Sequence, residues 1–183
     1  MTAPLDKLGQ RALSQGEIFL DNVKVPLQNM VISPHMGSLA GDMGLSISNA
    51  VMGAVFVGVS RACFELAVNY AKERVQLGVP IIEHQSVKSR LFKMYRKLEA
   101  TRYLSRQAVL NNGIGLPDLK LSIASKVTST QYAFEIASEA IQIFGGNGLT
   151  KAYPVEKPMR DARASMIEDG CNEVLGILAA ERF

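Results

Sequence analysis

Cysteine and histidine are scarce here, two of each in 183 residues, and none of the four stands in a motif. Cys63 and Cys171 lie far apart and form no CxxC pair, which excludes a disulfide scaffold and points to free thiols in a reducing compartment. His35 and His84 are equally isolated, so no local metal-ligand cluster forms and no metal is expected. Charge of one sign is also lacking. The 20 basic and 17 acidic residues are interspersed, with a net charge of +3 and no Lys/Arg block beside aromatics. Nucleic acid is therefore not an expected partner. The longest apolar run, Ala50 to Val59, is broken by glycine and too short to span a bilayer, and no basic-then-apolar leader opens the chain. A membrane is not an expected partner either, and the expected location is bacterial cytoplasm or an organelle matrix.

What is present is the composition of a soluble globular protein, 48% apolar and 20% charged. The length suits one domain with an appended segment, enough to bury a core without staples. The appended segment is the beginning. Glu17-Ile18-Phe19-Leu20-Asp21-Asn22-Val23-Lys24-Val25-Pro26 carries β-branched residues and a terminating proline, the pattern of a strand. One short strand cannot bury both faces. Residues 1–37 are therefore expected to be the end of a sheet whose other strands lie outside the chain.

Residues 38–183 read as helices. The first is expected from about Gly44 to Arg74. The second runs from Gln85 to about Asn111, with Val87, Leu91, Met94 and Leu98 on one face, and Asn112-Gly113 suits its cap. Pro117-Asp118 opens the third, in which Ile123, Val127, Thr130, Phe134, Ala137, Ile141 and Phe144 form a 4-3-4-3 seam ended by Gly145-Gly146. Shorter helices are expected near 159–166 and 173–183. Long helices with short connections predict an all-α fold, an antiparallel four-helix bundle behind a short β segment.

Three stretches resemble the acyl-CoA dehydrogenase family, in its order and spacing. They are Tyr70-Ala71-Lys72-Glu73-Arg74-Val75-Gln76-Leu77-Gly78 with Glu83-His84-Gln85-Ser86, then Ala140-Ile141-Gln142-Ile143-Phe144-Gly145-Gly146-Asn147-Gly148. The third is Tyr153-Pro154-Val155-Glu156-Lys157 with Met159-Arg160-Asp161-Ala162, running on to Ile167-Glu168-Asp169-Gly170. The Glu17–Pro26 stretch resembles the closing strand of the family's middle β-domain. The resemblance implies a C-terminal helical-bundle domain, FAD as cofactor, an acyl-CoA substrate, an electron-transfer flavoprotein or similar acceptor, and a homodimer or homotetramer. It further implies that Arg74 reaches the FAD pyrophosphate across a dimer interface, that Gln142, Gly145 and Gly146 meet the neighbouring subunit's flavin cofactor, and that Gln85 adds a contact. A guanidinium fork suits a phosphate, and glycines let a ligand approach the main chain. Taken alone, these residues also fit plain helix caps.

The reaction implied is loss of a proton from the carbon α to a thioester, with hydride passing from the β carbon to flavin. A carboxylate in a dry pocket suits the first step. Where the family commonly has its catalytic glutamate this chain has Asp169, preceded by Glu168. The aspartate is one methylene shorter, and a shortfall of about an ångström is costly in rate. Three alternatives stand: Asp169 is the base, Glu168 is recruited, or the base is lost. Asp169 and Glu168 are expected beside the flavin, on the same side as the glycine-capped helix end. Gly170 is expected to line the substrate.

Other family positions differ too. Ser46 and Asn49 stand where an Asp and an Arg commonly engage the CoA-thioester, and Ser48 stands where some members carry a base. Cys171 and Glu173 replace a flavin-contacting Thr and Gln. The expected function is FAD-dependent α,β-dehydrogenation of an acyl-CoA, branched, cyclic or aromatic, with the 183 residues alone inactive. A nitroalkane-oxidase-like flavoenzyme with an Asp base, or a non-catalytic helical assembly subunit, are the alternatives.

Overall fold

The computed structural model describes residues 2–114 and 117–183. Three long helices, α1 (Gly37–Glu73), α2 (Gln85–Ile114) and α3 (Leu119–Phe144), are followed by α4 (Glu156–Ser165) and α5 (Asn172–Ala180). The registers follow from side-chain pairs. Ser46 on α1 meets Asn112 on α2 and Ser122 on α3, while Tyr70 near the end of α1 stacks on Phe144 at the end of α3. α1 and α3 are thus parallel and α2 runs against both. Val155 packs beside Phe144, Ala162 beside Ala133, and Leu175 beside Ile123 and Leu119. α4 and α5 together therefore descend along α3 as the fourth limb of an antiparallel bundle, the architecture that the helical periodicity predicts.

α3 lies at the centre. Ile123, Thr130, Ala137 and Phe144 of its expected seam are buried, and so is a second row, Ser122, Lys126, Ser129, Ala133, Ile136, Ala140 and Ile143. A helix flanked on several sides needs more than one apolar stripe. Serines and glycines let α1 approach closely: a Cβ on Gly53 would meet Ser125 Oγ at 2.3 Å. By length and composition α1 could cross a membrane, so the apolar stretch is longer than the glycine-broken run implied. Here it is the helix against which α2 and α3 pack.

Two features lie outside the helices. Residues 17–26 form no strand: the segment is extended, and Ile18, Phe19, Leu20, Val23 and Val25 are exposed. A strand needs a neighbour for its N–H and C=O groups. The pairing seen here is Thr2 N–H to Glu17 O (3.1 Å) and Leu5 N–H to Gln15 O (2.9 Å), with Glu17 N–H donating to Thr2 Oγ1 (3.0 Å). Conversely, β1 (Val75–Gln76) and β2 (Val79–Pro80) form a small antiparallel hairpin. Its two-residue loop places Leu77 at φ 53 and Gly78 at φ 83, the left-handed pair of a type I′ turn.

Helix ends shift for local reasons. Asp118 is the cap of α3 rather than a first-turn residue, its carboxylate accepting from Leu121 N–H at 3.0 Å. α2 continues past Asn112 because that side chain is held in the Ser46–Ser122 hydrogen bonds instead of capping. α1 starts at Gly37 rather than near Gly44, and Arg182 grips Asp42 in its second turn through two bonds of 2.9 and 3.0 Å.

Candidate functional site

A cleft of about 760 Å³ opens where the end of α1, the hairpin, the start of α2 and the end of α3 meet. It collects Arg74, Gln142, Gly145 and Gly146, as the motifs imply. Arg74 is exposed at the end of α1 and makes no ion pair among the described residues. Gly145 ends α3 at φ 60, a conformation glycine adopts freely, and a Cβ on Gly145 or Gly146 would meet only open space. Asn147 fixes this turn by donating to Tyr70 Oη at 2.9 Å, while Tyr70, Phe144 and Tyr153 stack and edge against one another. Gln85 opens α2 with its side chain exposed, between the cleft-lining His84 and Ser86. His84 lies 3.3 Å from the Gln76 carbonyl and so ties α2 to the hairpin. A cation, accessible main chain and an amide in one cleft fit a phosphate-bearing cofactor such as FAD.

The carboxylates are elsewhere. The turn between α4 and α5 is closed by Asn172 N–H donating to Met166 O at 3.0 Å. It is anchored to Lys126, early on α3, not to the glycine end. From Lys126 to Gly145 a helix rising ~1.5 Å per residue spans roughly 28 Å. The expectation that the acids lie on the same side as the glycine-capped helix end is therefore corrected, because the two occupy opposite halves of α3.

Within the turn the two acids differ. Glu168 is half-buried and accepts a hydrogen bond from the Gln10 side-chain amide. Asp169 is exposed, in the left-handed region at φ 51, and among the described residues it has no hydrogen-bond or ion-pair partner. The dry pocket expected around it is not built by these residues. Gly170 follows at φ 91, packed on Leu175. The Cys171 thiol donates to Glu173 at 2.8 Å, which with Glu173's own backbone holds that carboxyl below the usual range. Cys171 and Glu173 thus satisfy each other at the surface.

Ser46 and Asn49, expected to face a thioester, are instead wholly enclosed in the α1–α3 seam. Ser46 bonds Ser122 at 2.9 Å, and Asn49 donates to Leu45 O at 2.8 Å. Replacing charge by small polar groups lets these positions pack inward. Sequence reasoning missed Lys126, a lone lysine in the run Ser122-Ile123-Ala124-Ser125-Lys126-Val127. The available signal was its place one turn from Ser122 and from Thr130, on a row of small residues. It also missed the strap made by the chain start: Arg160 donates to Leu8 O at 2.8 Å, and Gln10 N–H donates to Asp161 at 2.5 Å. Arg160 and Asp161 therefore serve separate partners, as adjacent helical residues must.

Residues 39–183 match the family profile described as "Acyl-CoA dehydrogenase, C-terminal domain". A cyclohexane-1-carbonyl-CoA dehydrogenase of Geobacter metallireducens is 32% identical over 177 residues, 97% of this chain and 47% of that protein. The solved butyryl-CoA dehydrogenase of Megasphaera elsdenii superimposes with a TM-score of 0.93 at 32% identity, over 98% of this chain and 47% of its own. A structure titled for the electron transferring flavoprotein of Acidaminococcus fermentans gives 0.92 at 30% identity, over 99% and 48%. The chain spans about half the length of the curated relatives it matches.

Proposed function

Because this chain belongs to the acyl-CoA dehydrogenase family, through that family's C-terminal domain, we propose that it is part of an FAD-dependent enzyme that desaturates an acyl-CoA thioester, with Asp169 as the base. The observation that carries this assignment is the difference between the two neighbouring acids. Glu168 is engaged by Gln10, whereas Asp169 stands free on the open face of the turn. An unengaged carboxylate can accept a proton without first breaking a bond.

Asp169 takes the proton from the carbon α to the thioester carbonyl. FAD, when bound, supplies the ring that accepts hydride from the β carbon. Asp169 and Gly170 take left-handed backbone, and the Asp169 side chain is exposed. Closure over it comes from outside these residues. The shorter aspartate leaves about a methylene of extra room, which suits a thioester substituted or ringed at the α carbon, and a relative named for the cyclohexane-1-carbonyl thioester supports that substrate class. The reduced enzyme hands its electrons to an electron-transfer flavoprotein or similar acceptor. Arg74, Gln142, Gly145 and Gly146 would hold the phosphate part of a cofactor belonging to a second copy, since their cleft is far from Asp169 along α3.

The test uses the full-length protein. Anaerobic addition of an alicyclic acyl-CoA bleaches the flavin absorbance. Asp169→Asn lowers the bleaching rate at least about a thousandfold, while Glu168→Gln stays within about tenfold. Bleaching that survives Asp169→Asn sinks the assignment. Bleaching by a nitroalkane and not by thioesters replaces it with the oxidase chemistry.

A further inference from the structure

Lys126 has no solvent exposure, and among the described residues it is the one charged side chain so enclosed. An ammonium in that position persists only if its N–H groups are taken up. Here Nζ donates to Gly170 O at 2.7 Å and to Asn172 Oδ1 at 2.9 Å. Asn172 is itself held, its amide donating to Thr130 Oγ1 at 3.1 Å, and Thr130 sits one turn beyond Lys126 on α3. The central helix therefore grips both flanks of Cys171, and the residue just before the gripped carbonyl is Asp169.

The conformation being gripped does not hold itself. Asp169 and Gly170 are consecutive left-handed residues, at φ 51 and φ 91, and such a conformation at a non-glycine residue persists only when its surroundings over-determine it. Leu175 closes on Gly170 from the α5 side and Lys126 holds it from α3. Burial pushes the lysine pKa down, and the acids of the turn, Asp169 first and then Glu168, push it back up.

We propose that Lys126 is a positioning residue for the dehydrogenation, fixing through Gly170 and Asn172 the direction in which Asp169 points. This rests on the assignment of Asp169 as base. Removing the tie leaves the carboxylate in place but unaimed, and an error of about an ångström there is worth roughly a hundredfold in rate.

The experiment compares full-length, flavin-loaded Lys126→Met, Asn172→Ala, Asn172→Asp and Asp169→Asn by stopped-flow flavin reduction with an alicyclic acyl-CoA and its α-deuterated form. The expected result for Lys126→Met is unchanged flavin content, a thioester affinity within about twofold of wild type, a limiting reduction rate down roughly a hundredfold, and a larger isotope effect at the α carbon. Asn172→Ala follows in the same direction by about tenfold, and Asn172→Asp, which keeps an acceptor for Lys126, restores the rate. A wild-type limiting rate in Lys126→Met overturns the proposal. So does a loss that tracks flavin content or thioester affinity instead of the limiting rate. Should Lys126→Met fail to fold, a wild-type rate in Asn172→Ala overturns it. Asp169→Asn with undiminished rate instead overturns the base assignment.

Discussion

At the scale of single residues, Cys63 is wholly enclosed in the core, and burial pushes its thiol up to about 12 from an ordinary 9.0. In the unfolded chain that thiol loses its proton near the ordinary value, whereas the folded chain keeps it. The unfolded state thus binds fewer protons between pH about 9 and about 12, and stability falls as pH rises through that window. Cys63→Ala should remove this alkaline loss, seen as a flatter plot of urea midpoint against pH. In the folded protein a thiol reagent should modify Cys171, which is partly exposed, and reach Cys63 only on unfolding. Residues such as Arg74 and Gly146 could be placed from the sequence because each belongs to a short contiguous stretch. Lys126 could not: its partners stand more than forty positions away, and a lone helical lysine ordinarily marks a solvated face.

At the scale of elements, the chain start acts as a strap across α4. Gly9 lies so close that a Cβ would fall 2.1 Å from the Arg160 carbonyl oxygen. Gly9→Ala should therefore lift the strap, lower Tm by roughly 2–10 °C and free Glu168 from Gln10. Thermal scans, with proteolysis of the first residues as a second readout, check this. A Tm unchanged in Gly9→Ala refutes the strap. The long helices were readable because apolar spacing of 3.6 residues survives over many turns. The Glu17–Pro26 segment shows the pattern of a strand but meets no partner strand among the described residues, because composition does not supply one. The Val75–Pro80 hairpin was hidden because Leu77 is a poor residue for a left-handed turn position.

At the scale of the whole molecule, the two proposed ligand regions lie at opposite halves of α3. Arg74 in the cleft is proposed to bind phosphate, and a hydrogen bond to a charged group contributes about 1.5–3 kcal/mol. In the full-length protein, Arg74→Met should weaken FAD retention about ten- to a hundredfold. Lys126, which holds the turn carrying Asp169, lies roughly 28 Å along α3 from Gly145 of that cleft, at ~1.5 Å per residue. That separation could not be read from the motifs, which give order and spacing but not which end of a helix each one reaches. On the proposed reading, damage to the two regions falls on different cofactors. Paired copies, one carrying Arg74→Met and the other Asp169→Asn, would place both lesions in one site and leave the second intact. Co-expressing the two crippled chains should thus recover about a quarter of normal turnover from random pairing, although neither chain alone turns over at the normal rate.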